Sequence, residues 1–190
     1  MVSRETLLAD YFPEKRSEAE RYGELLATRG IEWGLIGPKE GERIWDRHIA
    51  NCLPITQLIP KGVSLIDIGS GAGLPGVVIA LARPDLKVTL LEPLQRRVNF
   101  LEEASAGLGI KVHRGKAEAE KGQYDYVTAR AVAPLSKLWT ISKHLIKPGG
   151  SLLAMKGEAA QAEAAEIPGA IVHEIELEGI PLARVVEVKR

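Results

Sequence analysis

Residues 65–82, LIDIGSGAGLPGVVIALA, place a glycine-rich turn between an apolar run containing Asp67 and a second apolar run with helical spacing. Glycine accepts a positive φ and lets a ligand approach the backbone without interference from a Cβ atom. The free N–H groups at the start of the following helix favour a carboxylate or phosphate group. This stretch therefore predicts a strand, a ligand-binding turn and a helix in succession.

The rest of the chain repeats the alternation of short apolar runs and helical segments, which is typical of a mostly parallel sheet covered on both faces. The closing segment, residues 170–190, predicts two strands joined too tightly for a crossover, and therefore an antiparallel hairpin. We expect residues 1–60 to be mainly helical and to pack on a catalytic domain of residues 61–190 within one globular unit. The fold class predicted is α/β and Rossmann-like, with helices before the sheet and predicted strands in SLIDI, KVTLLE, IKVHRG, YDYVTARA and SLLAMKG.

Composition limits the possible partners and compartments. The formal net charge is zero, so any site for a polyanion must be a local patch. Cys52 is the single cysteine, which excludes an internal disulfide and favours a reducing cytoplasm. We see no signal peptide and no apolar run near the ~18 residues that span a bilayer. The four histidines lack metal-ligand spacing, so we expect a cytoplasmic monomer without metal or membrane.

Two cofactors are compatible with the glycine turn. Gly71, Gly73 and Gly76 satisfy the dinucleotide pattern G-x-G-x-x-G. The longer segment DIGSGAG, an acid and an apolar residue before G-x-G-x-G, resembles the first motif of S-adenosylmethionine-dependent methyltransferases. Glu92, at the end of the second predicted strand, suits the ribose hydroxyls of either cofactor. Asp67 favours S-adenosylmethionine, because a carboxylate there repels a pyrophosphate but attracts an ammonium group. A third interpretation is a tight turn that Asp67 merely caps.

Two further segments reach the same predicted edge of the sheet. Ala117 and Glu118 follow the third strand, where a backbone N–H and a carboxylate could face the edge of an adenine ring. The alternative for Glu118 is an ordinary solvated loop charge. Arg130 follows the fourth strand and is the best candidate for a functional side chain, against the alternative of a surface arginine.

The whole pattern resembles one family, RsmG (also called GidB), a bacterial methyltransferase that modifies guanine N7 in 16S ribosomal RNA. The resemblance implies a seven-stranded methyltransferase fold preceded by helices, with S-adenosylmethionine as the cofactor. It also implies cofactor contacts from Gly69, Leu74, Ala117, Glu118 and Arg130. The segments that carry it are RIWDRHIANCL, LIDIGSGAGLPGVVIALARPDLKVTLLEPLQRRVNFL, YDYVTARAVAPLSKL and LIKPGGSLLAMKG.

The chemistry implied by this resemblance is compatible with the residues. Guanine N7 has a free lone pair, so no general base is required, and alignment of the reactants could provide most of the catalysis. Arginine often pairs with guanine O6 and N7 together, but a bond to N7 would occupy the attacking lone pair. We therefore predict that Arg130 orients the reactants by holding O6, a phosphate or the cofactor carboxylate. Cys52 lies in an apolar helical segment and is interpreted as a core residue rather than a nucleophile.

RNA binding by a neutral chain needs local basic groups. We predict that four of them form the rim of the target pocket: Arg43, Arg47, Lys137 and Lys156. Two other functions remain open from the sequence. The chain could methylate a small molecule or a protein, or it could be a catalytically silent module that binds cofactor or RNA.

Overall fold

A computed structural model describes residues 2–190 and contains a seven-stranded sheet in the order β3-β2-β1-β4-β5-β7-β6. Strands β1 to β5 are parallel, and β7 runs antiparallel to both β5 and β6. The predicted Rossmann-like fold with a C-terminal hairpin is therefore confirmed. The strands are β1 (Ser64–Ile68), β2 (Lys87–Glu92), β3 (Lys111–Arg114), β4 (Tyr124–Arg130), β5 (Ile146–Lys156), β6 (Ile171–Leu177) and β7 (Ile180–Lys189).

The strand order reverses at β1, which lies between β2 and β4. In open α/β sheets, ligands bind beyond the carboxyl ends of the strands at such a reversal. The glycine turn follows β1 and Arg130 ends β4, so the reversal lies between the two. The topology thus places the predicted site at the expected edge of the sheet.

Helices cover both faces of the sheet. Successive residues of a strand point to opposite faces, and Leu65 and Ile66 of β1 accordingly belong to two separate apolar clusters. The Leu65 cluster includes residues of the first four helices, and the Ile66 cluster includes residues of the last two. The helices are α1 (Arg4–Tyr11), α2 (Arg16–Leu25), α3 (Gly76–Ala82), α4 (Gln95–Ala104), α5 (Leu135–Ser142) and α6 (Ala160–Ala165).

Short π-helical and 3-10 segments occupy much of residues 26–58, where the sequence predicted mainly helix. Pro54 begins the last of them, Pro54–Leu58, because proline is tolerated in the first turn of a helix. Residues Ile44–Ile49 form a π-helix, a geometry frequent at functional sites. The backbone of this region is therefore less regular than its apolar spacing suggests.

Strand β5 is longer than the sequence pattern predicts. It begins at Ile146 and passes through Pro148 and Gly149, which precede the predicted strand SLLAMKG. Pairing with β4 shifts register between Tyr124 and Tyr126, as at a β-bulge. A Cβ atom on Gly150 would lie 2.2 Å from the Asp125 carbonyl oxygen, so the glycine is needed for this close approach. Within residues 2–190, no helix has the length and apolar character needed to cross a membrane.

Candidate active site

Three glycines after β1 adopt the left-handed backbone conformation, with φ of 66° at Gly69, 57° at Gly71 and 91° at Gly73. The turn is closed by main-chain hydrogen bonds from Gly69 N–H to the Leu91 carbonyl at 2.8 Å and from Gly73 N–H to the Ser70 carbonyl at 2.7 Å. Residues with a Cβ atom rarely adopt such φ values. The backbone therefore explains why glycine recurs in this stretch.

Asp67 supports the turn from behind. Its carboxylate is buried and accepts hydrogen bonds from the Gly76 N–H at 3.2 Å and the Thr128 hydroxyl at 3.0 Å. Burial raises the pKa of Asp67 from 3.8 to about 6, against the effect of the hydrogen bonds it accepts. The side chain acts on the turn and does not line the cleft described below, so its direct contact with a ligand remains a prediction.

Glu92 supports the turn from the end of β2. Its two carboxylate oxygens accept the Gly71 N–H at 3.0 Å and the Leu94 N–H at 3.1 Å, and an Arg97 guanidinium nitrogen lies 3.8 Å away. The Glu92 side chain is 1% exposed. The structure thus places Glu92 beside the turn as predicted, while its contact with a ribose remains a prediction.

Tyr22 also supports the turn, and the sequence pattern did not predict its role. Its hydroxyl, on helix α2, donates to the Ala72 carbonyl at 2.8 Å within the glycine turn. Burial raises the pKa of Tyr22 well above its ordinary value of 10.0. Nothing in the chain near Tyr22 signals this contact, because it joins residues that are 50 positions apart. The N-terminal helices therefore help to shape the ligand site.

A cleft of about 300 Å³, here called the turn cleft, opens over the glycine turn. Four predicted cofactor residues line it: Gly69, Gly71, Leu74 and Arg130. The other lining residues were not predicted to contact a ligand, and they come from the turn, from α4, from the residue after β4 and from two segments before the sheet. They are Leu35, Ile36, His48, Ser70, Ala72, Arg97 and Ala131.

Ala117 and Glu118 lie outside the walls of the turn cleft. They form the short 3-10 segment Ala117–Ala119 after β3, in which Ala117 is buried and Glu118 is exposed. The Gly115 N–H donates to the Glu92 carbonyl at 3.2 Å and ties this loop to the end of β2. The two residues are therefore at the predicted edge, and their contact with an adenine ring remains a prediction.

Arg130 is held by residues that precede the sheet. Its Nη1 donates to the Cys52 sulfur at 3.1 Å and to the His48 carbonyl at 3.4 Å. Burial raises the pKa of the Cys52 thiol, and the neighbouring guanidinium opposes that shift. Among residues 2–190, Arg130 has no carboxylate partner, and its Nε and Nη2 make no hydrogen bond. The guanidinium is thus oriented but still able to bind a ligand.

A second cleft, of about 510 Å³, lies beside the turn cleft at the ends of β4, β5 and β7. We call it the side cleft. Arg130 and Ala131 line both clefts, so the two meet at the carboxyl end of β4. The remaining walls of the side cleft are formed by Asn51, Met155, Lys156, Gly157, Glu158, Glu163, Pro181, Leu182, Ala183 and Arg184.

The four basic residues predicted to bind RNA differ in their surroundings. Arg43 and Arg47 are about half exposed, and each lies near an acid, Asp46 at 3.6 Å and Glu40 at 3.3 Å. Lys137 is exposed on α5. Lys156 lines the side cleft, but its side chain is 11% exposed and its ammonium group already has protein partners. Contact of these residues with RNA stays a prediction.

No group of three or more His, Cys, Asp or Glu side chains within residues 2–190 is arranged to hold a metal ion. The site therefore consists of a backbone turn, two buried carboxylates and an oriented guanidinium. Such an arrangement can bind a cofactor and position a second molecule beside it.

Solved structures of methyltransferases share this fold. A methyltransferase from Pyrococcus furiosus superposes with a TM-score of 0.59 over 80% of this chain and 98% of that chain, at 14% identity. A predicted O-methyltransferase from Agrobacterium tumefaciens gives a TM-score of 0.56 over 73% and 76% of the two chains, at 17% identity. At such low sequence identity, the structural similarity supports the fold alone, which is a Rossmann-like methyltransferase fold.

Sequence relatives identify the family more closely. Ribosomal RNA small subunit methyltransferase G of Thermobifida fusca is 55% identical over 83% of this chain and 68% of its own length. The protein of the same name from Streptomyces coelicolor is 50% identical over 81% and 67%. The chain thus spans about two thirds of the length of these curated relatives. Residues 15–184 also match the family model described as rRNA small subunit methyltransferase G, GidB, and the chain therefore belongs to that family.

Proposed function

We propose that this chain transfers a methyl group from S-adenosylmethionine to N7 of a guanine in 16S ribosomal RNA. The observation that carries the proposal is the junction of two clefts at Arg130 and Ala131, in a chain of the rRNA small subunit methyltransferase G family. One cleft lies on a glycine turn suited to a cofactor. The other has room for a nucleobase next to it.

The residues of the turn cleft fit S-adenosylmethionine. A Cβ atom on Gly71 would meet nothing closer than the Gly69 carbonyl oxygen at 3.8 Å, so the turn leaves open space at the backbone. The cleft volume of about 300 Å³ lies at the lower end of the range for small-molecule sites. Gly69, Gly71 and Leu74 would hold the cofactor, with Asp67 and Glu92 fixing the turn. When bound, S-adenosylmethionine supplies an electrophilic methyl group.

The side cleft suits an uncharged nucleobase better than a phosphate group. Two of its basic side chains, Lys156 and Arg184, are paired with Glu163 at 2.7 Å and with Glu174 at 2.8 Å. These pairs leave Arg130 as the cleft cation without a carboxylate partner among residues 2–190. An arginine at the junction can donate to guanine O6 and leave the N7 lone pair free for the methyl group.

Orientation is the contribution that these residues would make to the reaction. A neutral guanine needs no deprotonation at N7, and holding two reactants in the productive geometry can lower a barrier by up to ~7–11 kcal/mol. Arg130 is fixed by Cys52 and His48 and therefore presents its free nitrogens from a defined position. The chain would thus act by alignment rather than by acid–base catalysis.

Transfer of tritium from S-adenosylmethionine tests the proposal directly. The substrates are 16S ribosomal RNA and small subunits from cells that lack this protein, and the same preparations from wild-type cells are the control. We expect incorporation in the first set and little in the second, with the label mapped to N7 by cleavage at 7-methylguanine. Incorporation at another atom of the RNA would reject N7 as the methylated atom but would still support ribosomal RNA as the substrate.

The same assay separates the alternative functions. A methyltransferase for proteins or small molecules would label those fractions of a lysate and leave the RNA unlabelled. A silent module would bind S-adenosylhomocysteine in calorimetry without any transfer to RNA.

A further inference from the structure

The loop between β4 and α5, residues 131–134, separates the two clefts. Ala131 has a φ of 55°, a left-handed value that is uncommon for a residue with a Cβ atom, and it lines both clefts. Val132 packs directly on the turn, since a Cβ atom on Gly69 would lie 2.8 Å from its Cγ2. The position of this loop therefore sets how the clefts meet.

Few apolar contacts of its own hold the loop. Ala131, Val132 and Pro134 are exposed, and Ala133 is half-buried. Segments with little buried apolar surface open locally at low free-energy cost. The loop therefore depends on polar contacts to stay in place.

Lys156 and Glu163 supply those contacts from β5 and α6. The Lys156 ammonium donates to the Ala133 carbonyl at 2.8 Å and lies 2.7 Å from a Glu163 carboxylate oxygen. The same Glu163 oxygen accepts the Leu135 N–H at 2.6 Å, at the start of α5. We call these two side chains the loop clamp. It holds two main-chain groups of opposite polarity on either side of Pro134.

The charge state of the clamp suits this role. Burial acts to raise the pKa of Glu163, but its hydrogen bonds from Lys156 and Leu135 outweigh that effect and leave the pKa below the ordinary 4.5. The carboxylate is therefore charged near neutral pH. The two side chains are 11% and 23% exposed, so solvent screens the pair less than a surface pair.

We propose that Lys156 and Glu163 are positioning residues that fix the β4–α5 loop and so align a base in the side cleft with the cofactor in the turn cleft. This inference rests on the proposed function, because alignment has meaning only if both clefts are occupied in the reaction. Neither side chain needs to touch the reacting atoms. Their effect passes through Ala133, Leu135 and the loop between them.

Strands β4 and β5 provide a control at the ends that lie away from the clefts. Lys147, near the start of β5, lies 3.0 Å from Asp125, near the start of β4. Like the clamp, this pair joins a β5 lysine to a carboxylate, but the carboxylate belongs to β4 and not to α6. It is at the edge of the sheet opposite the clefts, where loss of the ion pair cannot move the β4–α5 loop directly.

The experiment compares Lys156→Met, Glu163→Met and the control Lys147→Met in the complete chain. We expect kcat for methyl transfer to fall roughly 10–100-fold in both clamp variants, since displacement by about 1 Å can cost that much. The KM for S-adenosylmethionine should change less than about threefold, because Asp67, Glu92 and main-chain hydrogen bonds hold the glycine turn and the clamp does not contact it. Lys147→Met should keep the wild-type kcat.

Two more variants separate a clamp from an ordinary ion pair. Lys156→Arg keeps a donor and a positive charge and should recover most of the activity. The double exchange of Lys156→Glu with Glu163→Lys restores the pair but should not restore kcat. A carboxylate at 156 cannot donate to the Ala133 carbonyl, and an ammonium at 163 cannot accept the Leu135 N–H. Full recovery in the exchanged variant would overturn the inference.

Hydrogen exchange of residues 131–139 tests the clamp without reference to activity. Faster exchange in Lys156→Met and Glu163→Met, but not in Lys147→Met, supports it; unchanged exchange overturns it. If Lys156 contacts RNA instead, Lys156→Met should weaken RNA binding and Glu163→Met should keep a normal kcat. These two results together would also overturn the inference. If the wild-type chain transfers no methyl group to RNA, the proposed function fails, and the exchange data still decide whether the clamp exists.

Discussion

The two clefts that meet at Arg130 differ in how much main chain and how much side chain form their surfaces. The turn cleft opens over main chain, with Gly69 and Gly71 at its surface and the buried Asp67 and Glu92 behind it, and side chains such as His48 complete its walls. The side cleft is largely side chain, and three of its charged residues, Lys156, Glu163 and Arg184, are held by ion pairs.

The difference has a consequence for how each cleft responds to change. A main-chain turn with hydrogen-bonded support is pre-organised for its ligand, so a single added atom can damage it. Walls made of paired side chains tolerate small substitutions better but lose their shape when a pair is broken. Cofactor binding and acceptor alignment should therefore be separable by mutation.

Arg130 belongs to both clefts, so its removal should have the largest effect. We expect Arg130→Met to lower methyl transfer roughly 100–1000-fold, the range found when a donor that stabilises a reacting group is lost. The affinity of the variant for S-adenosylhomocysteine, measured by calorimetry, shows which reactant Arg130 contacts. An unchanged affinity indicates that Arg130 contacts the RNA base, and a loss above about tenfold indicates that it contacts the cofactor carboxylate. Full transfer rates with normal RNA affinity would remove Arg130 from the mechanism.

The pH dependence of stability tests the role of the buried Asp67 carboxylate that supports the turn. Its pKa is about 6 in the folded chain and near 3.8 when exposed, so the folded state holds the extra proton between these values. Stability is thus lost as pH rises from about 4 to about 6, on the order of 2–3 kcal/mol. Asp67→Asn should flatten this dependence in urea unfolding measured across that range. Parallel pH profiles for the variant and the wild-type chain would contradict the assignment.

Substitution of Gly69 tests whether the main chain of the glycine turn forms the surface that binds the cofactor. Gly69→Ala adds a Cβ atom 2.8 Å from Val132 at a φ of 66°, and we expect about tenfold weaker binding of S-adenosylhomocysteine. Gly149→Ala is the control, since its φ is 81° but its Cβ would have no neighbour within 4 Å. Both variants carry the strain of a left-handed residue, roughly 1–2 kcal/mol. Equal affinities in the two would show that the Cβ atom at Gly69 does not disturb the turn cleft and would contradict the prediction.

The fold and the turn were predictable because each depends on residues close together in the chain. The segment SLIDI contains its own strand pattern, and the following glycines contain their own φ requirement. The hairpin of β6 and β7 likewise follows from a short connection. Strand β5 was predicted too short, because Pro148 and Gly149 indicate a turn and only the register shift against β4 keeps them in the strand.

The side cleft could not be predicted in this way. Lys156 was predicted to be one of the basic groups at the rim of the target pocket, and its pairing with Glu163 depends on where α6 packs. Tyr22 and Cys52 reach the site from segments that carry no local signal of it. Contacts between distant segments depend on how the whole chain packs, and a local sequence motif contains no information about that packing.

The smallest expected effect concerns the rim outside both clefts. Arg47 directly precedes His48 of the turn cleft in the chain, and the side-chain amide of Asn51, which lines the side cleft, donates to the Arg47 carbonyl at 2.7 Å. Arg47→Glu should weaken RNA binding roughly threefold at low salt and reduce the slope of log K against log salt by about 0.7–0.9, one phosphate contact. Arg16→Glu, on α2 and similarly exposed, is the matched control. Equal salt slopes for the two variants would place the RNA elsewhere and leave the clefts without this rim.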